Sequence, residues 1–151
     1  MKPLIVLLSV FTVSFFVIKL FRDHFKLALA GRIGMSAMLL FTAIGHFIFT
    51  DGMILMFPDF IPFKTEIVYL TGIMEILFAV GLLCPKYRKV TAWALIVFFI
   101  FVLPANIHAS LKQVDYQSAT FDGNGLDYLW FRIPLQLFFM IWTYFMAIKF
   151  D

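Results

Sequence analysis

Five apolar runs, each long enough to cross a bilayer as a helix, occupy most of this 151-residue chain. They lie at about residues 3–21, 31–50, 66–84, 90–109 and 128–148, and a spanning helix needs roughly 17–25 mostly apolar residues. The rest of the composition agrees, with 63% hydrophobic and 14% charged residues where a soluble domain carries about 25% charged. The expected fold is a single all-α integral membrane domain over residues 1–151, embedded in the lipid bilayer.

The few charges are sorted between the two sides of these spans. With the N-terminus outside, the inner side holds Lys19, Arg22, Lys26, Arg32, Lys86, Arg88, Lys89 and Lys149, and the outer side only Lys2, Lys64 and Lys112. Asp51, Asp59, Glu66, Asp115, Asp122 and Asp127 also fall outside. Because basic residues favour the cytoplasmic side, the chain is expected to run N-out and C-in, with bacterial inner membrane as the expected location. The net charge of +3 is therefore a topology signal, and no nucleic-acid partner is expected. The first run also has the outline of a signal peptide, with Ala28-Leu29-Ala30 as the cleavage motif. However, a charged stretch from Lys19 to Lys26 separates that motif from the apolar region, whereas cleavage follows such a region closely. A retained helix is the expectation.

Two outer connections differ in character. Residues 51–64, DGMILMFPDFIPFK, are apolar and too short to span, which predicts an interfacial segment or a cap over the helix ends. Residues 111–127 are polar and turn-rich; Asp122-Gly-Asn-Gly lacks the closing Glu of a twelve-residue calcium loop, so a turn is expected. Cys84, the one cysteine, excludes an internal disulfide or a CxxC pair. The methionines at 35, 38, 53 and 56 read as packing or interfacial residues.

Polar groups inside spans cost roughly 2.5–3.5 kcal/mol when charged at a helix centre and face protein by default. Glu75 lies about 13–14 Å along its helix, near the bilayer midplane, on a stripe with Gly72 and Ala79 that would let a neighbour approach closely. Arg132 and Gln136 are four residues apart and share a face, with Pro134 between them and Thr143 further along. Thr42, Gly45 and His46 line one side of the second span. Asn106 follows Pro104 in the fourth, with His108 pointing away from it. Depth places His46, Asn106, Arg132 and Gln136 in the outer half and Glu75 at its floor, which predicts one outward-facing pocket. Arg132 is the expected partner of Glu75. The first span offers only Thr12 and Ser14 and is expected to be peripheral. No HExxH, phosphate loop, nucleophile elbow or bis-His span occurs, so no metal is expected.

The ordered set GRIGMSAMLLFTAIGHF, PDFIPF, YLTGIMEILFAVGLLCPKYRK, LPANIHAS and LWFRIPLQLFFMIW resembles the DoxX-like family of small membrane proteins over residues 31–148. The resemblance implies a four-helix transmembrane bundle, to which residues 3–21 add an N-terminal helix. Relatives named for that family are associated with thiosulfate:quinone oxidoreductase systems and membrane redox complexes, and distant ones with cargo export or receptor assembly. Carried over by position, the family's polar features fall on His46, Glu75, Asn106, Arg132 and Gln136. Three readings stand open at this stage: a subunit binding a quinone-like molecule or small anion with a membrane redox partner, a non-enzymatic scaffold or assembly factor, and a transporter. Whether the chain is an enzyme or a homo-oligomer stays open.

Overall fold

Hydrocarbon offers the backbone no hydrogen-bond partners, so a spanning segment must satisfy its own. The computed structural model, which describes residues 2–21 and 26–150, meets this with helices: α1 (Lys2–Phe21), α2 (Leu27–Ile48), α4 (Lys64–Leu83), α5 (Arg88–Leu111) and α6 (Gly125–Tyr144). A short α3 (Thr50–Ile54) follows α2, and α6 continues into a π-helical turn, Phe145–Lys149. All five long helices are long and apolar enough to cross a membrane, the arrangement of a multi-pass membrane protein. Arg22, counted above among the inner charges, lies outside the described residues. The Ala28-Leu29-Ala30 triplet is inside α2, with Ala30 fully buried.

α2 packs along α4, α5 packs along α6, and α1 lies against α2. Small side chains set the closest approach: a Cβ added to Gly72 of α4 would stand 2.9 Å from His46 Cβ of α2, a separation no real side chain keeps. Ser36 Oγ of α2 donates to the Ala79 carbonyl of α4 at 2.9 Å. The stripe of Gly72, Glu75 and Ala79 is buried, as its spacing predicted.

The helix ends joined by residues 84–87 are filled by Leu82, Ala92, Leu95 and Ala147. The opposite ends, where residues 55–63 and 112–124 connect the helices, splay around hollow space; this is termed the capped end. Residues 51–64 form the expected cap. Met53 and Met56 point inward, whereas Phe60 and Phe63 are exposed.

α5 and α6 run through Pro104 and Pro134, as the spans 90–109 and 128–148 require, because each proline removes one donor only and adjacent groups take up the slack. α1 is peripheral, as expected, with Leu7 its one buried residue, and is anchored at a few points. Leu7 is fully buried in the core, Phe11 meets Trp142 of α6 edge-on at 4.9 Å, and Lys2 and Pro3 reach the hollow end.

Candidate functional site

His46, Glu75, Asn106, Arg132 and Gln136 all line one cavity of about 500 Å³ at the capped end, a volume within the usual range for small-molecule sites. The five residues thus converge on one cavity, but their pairing differs from the expected one.

Glu75 pairs with His46. Its Oε2 lies 3.5 Å from His46 Nε2, and the close approach of α2 and α4 at Gly72 seats the imidazole there. The expected Glu75–Arg132 ion pair is absent among the described residues. The reason is geometric: α6 carries Arg132 on the α5 side of the cavity, near the mouth, and a nearer polar partner holds it.

That partner is Asn106. Arg132 Nη1 donates to Asn106 Oδ1 at 2.8 Å, Asn106 Nδ2 donates to Gln136 Oε1 at 3.4 Å, and Gln136 Nε2 donates to the Phe99 carbonyl. The sequence of donors and acceptors defines both amide orientations. Its terminus is a backbone carbonyl one residue before Ile100, the residue whose carbonyl Pro104 deprives of a helical donor. The guanidinium also sits over the Tyr128 ring at 4.9 Å and near the Tyr116 ring at 5.9 Å, as cation–π pairs do. No carboxylate among the described residues pairs with Arg132, so its positive charge faces the cavity uncompensated.

On the opposite wall a residue the sequence reading passed over, Thr71, orients the histidine. Thr71 Oγ1 donates its one proton to the Val68 carbonyl at 2.8 Å and lies 3.2 Å from His46 Nδ1. The imidazole is thus held between the Thr71 hydroxyl at Nδ1 and the Glu75 carboxyl group at Nε2. Glu75 is 7% exposed, and its Oε2 is buried without a hydrogen bond. Buried polar atoms in this condition are rare and call for an explanation.

A lid lies at the mouth. Tyr116 and Gln117 from the 112–124 connection line the cavity beside Lys2, and Lys2 Nζ reaches Gln117 Oε1 at 3.5 Å. The lid is latched against α3 at Gly52, where an added Cβ would lie 2.0 Å from the Tyr116 carbonyl oxygen. Burial, above all, raises the Tyr116 phenol above its ordinary value, with the neighbouring Tyr128 adding to it; the ring meets Arg132 as a neutral phenol. Asp115 and Thr120 pair their backbones across the lid. His108 turns away from Asn106, as expected, and its Nδ1 meets the Met56 carbonyl at 3.0 Å.

A family model described as a domain of unknown function, DUF8561, matches residues 35–147. This chain belongs to the DUF8561 family. No curated protein and no solved structure matches it. The DUF8561 match takes in all five cavity residues, Thr71 and the lid, and leaves α1 outside.

Chemically, the DUF8561 cavity offers two unlike walls. The α5–α6 wall is a cation with a chain of amide donors, suited to a carbonyl or anionic oxygen. The α2–α4 wall is a carboxyl–imidazole pair, a type of group able to exchange protons. Among the described residues no group of three or more His, Cys, Asp or Glu could hold a metal ion. Thr71, Tyr116 and Lys2 had no signal in the sequence beyond being polar near a helix end.

Proposed function

We propose that this protein binds a small lipophilic molecule of the quinone class in the capped cavity, as a membrane subunit of a redox system. The observation that carries the reading is the buried, unbonded Oε2 of Glu75 on a mostly apolar cavity whose far wall presents Arg132. A quinone fits this donor set: Arg132 and Asn106 would hold one ring oxygen, and the His46–Glu75 pair would hold or supply a proton at the other. Reduction of a bound quinone needs two electrons as well as two protons, and the electrons would come from a partner protein. The resemblance to DoxX-like proteins points the same way, and to the same four-helix bundle with α1 added outside it.

The charge bias supports an N-out, C-in orientation, which turns the lid and the cavity mouth outward in a bacterial inner membrane. The test is titration of the detergent-purified protein with a short-chain benzoquinone, alongside mass spectrometry of what co-purifies. Binding that weakens about tenfold or more in Glu75→Gln, the worth of one charged hydrogen bond, supports the reading. A ligand-free preparation that ignores added quinones refutes it.

One observation favours a second reading, a non-enzymatic scaffold. The Arg132–Asn106–Gln136–Phe99 chain joins α5 to α6 by side-chain hydrogen bonds of the kind that fix helix packing in membranes. On this reading Arg132→Gln lowers stability or partner recovery, and no ligand is found.

A further inference from the structure

A second cavity of about 560 Å³ lies between α4 and α5. The two helices are tight at their joined ends, where a Cβ on Gly81 would stand 2.4 Å from Thr91 Oγ1, and they diverge toward the capped end. The wedge between them is walled by Ile67, Met74 and Phe78 on one side and Val97, Phe101 and Ala105 on the other. Among the described residues its only polar lining ones are His46 and Thr71, and these are engaged with each other and with the Glu75 and Val68 oxygens. Nothing there recognises a polar head.

The chamber adjoins the first cavity. His46, Met53, Met56, Phe98 and Val102 line both, so the wall between them is one imidazole and a set of apolar side chains, two of them flexible thioethers. On its other side the chamber reaches the lipid-facing surface, where Val97 is 47% and Phe101 76% exposed. A polar cavity and an apolar chamber of similar volume thus share a wall, and the chamber opens to the hydrocarbon.

We propose that the α4–α5 chamber seats the hydrocarbon tail of the molecule whose head occupies the Glu75–Arg132 cavity, and that this ligand enters from the bilayer between α4 and α5. The assignment rests on the quinone reading and narrows it to long-tailed, membrane-dissolved members of the class. The tail passes between Met53, Met56 and Val102, and the head reaches His46 and Glu75 from below the lid, without crossing the lid itself.

The test compares two probes on the full chain in one detergent: a benzoquinone ring carrying methyl, and the same ring carrying a decyl chain. In the wild type the decyl compound binds more tightly. Ala105→Trp, which fills the chamber, reduces that preference about tenfold or more, the burial of roughly two methylenes, and leaves the methyl compound unchanged. An unchanged preference in Ala105→Trp, or an equal loss for both probes, overturns the proposal. A decyl probe bearing a terminal diazirine gives a readout on the wild type itself: crosslinks at Met74, Val97 or Phe101 support the chamber. Crosslinks spread over the outer faces of α1 and α6 mark an annular lipid position and overturn it. Binding of neither ring refutes the quinone reading; binding of both with equal affinity refutes only the tail assignment.

Discussion

Replacing Glu75 and His46 singly and together tests the central pairing of the cavity. At 3.5 Å two unit charges interact by about 5 kcal/mol at an effective dielectric near 20. The His46 side chain is 18% exposed and that of Glu75 9%, and the cavity between them and the mouth admits solvent. The measured coupling is therefore smaller, about 1–3 kcal/mol, between a neutral hydrogen bond and a charge-assisted one. Glu75→Gln and His46→Gln each destabilise the protein. The double variant loses about 1–3 kcal/mol less than the sum, because neither group is left buried against a missing partner. Arg132→Gln, by contrast, adds to Glu75→Gln within about 0.5 kcal/mol, as separate sites do. The assay is reversible unfolding of the detergent-solubilised protein followed by helicity. Coupling of Glu75 to Arg132, with additivity toward His46, would refute the arrangement and restore the pairing expected from the sequence.

Two further outcomes concern the lid. Gly52→Ala cannot keep the Tyr116 carbonyl at its present place, since the new Cβ would lie 2.0 Å from it; residues 112–124 then exchange amide hydrogens and are cut by protease faster, with the helices unchanged. Asp115 is held below its ordinary 3.8, first by the Gln117 backbone N–H and then by Ser118. Its contribution to lid order is present above the unfolded carboxylate value and is lost as the pH falls through the lowered folded one. Protection of the Gln117 amide, constant at neutral pH and declining in acid, reports this, and Asp115→Ala abolishes the dependence.

The spans and the polar set were legible because length and depth are one-dimensional properties. Twenty apolar residues are a spanning helix whatever surrounds them, and His46, Asn106, Arg132 and Gln136 lie at similar depth once the order of the helices is known. Which of them touch is a different question. Helical angle gives the face of Glu75 but not the neighbour it meets, and an acid below both an arginine and a histidine has two candidate partners. The decision came from Gly72, whose missing side chain admits α2 and its histidine, and from Asn106, which engages Arg132 on the far wall. Thr71 was opaque for a related reason: a helical threonine commonly returns its proton to the preceding turn, and only the nearby imidazole makes that habit consequential.

The two walls also have a mechanical consequence. His46, Thr71 and Glu75 bond within the α2–α4 pair, while Arg132, Asn106 and Gln136 bond within the α5–α6 pair. Between the pairs, His108 Nδ1 meets the Met56 carbonyl at the capped end and Trp142 Nε1 donates to the Gly31 carbonyl at the other. Parting the pairs at the hollow end stretches mostly apolar contacts, with the His108–Met56 contact as a directional tie, so dispersion and lipid pressure supply much of the resisting force. The width of that seam is then set by the membrane as much as by the chain: a thinner or more crowded bilayer changes the tilt of the helices, and with it the gauge of the hollow end.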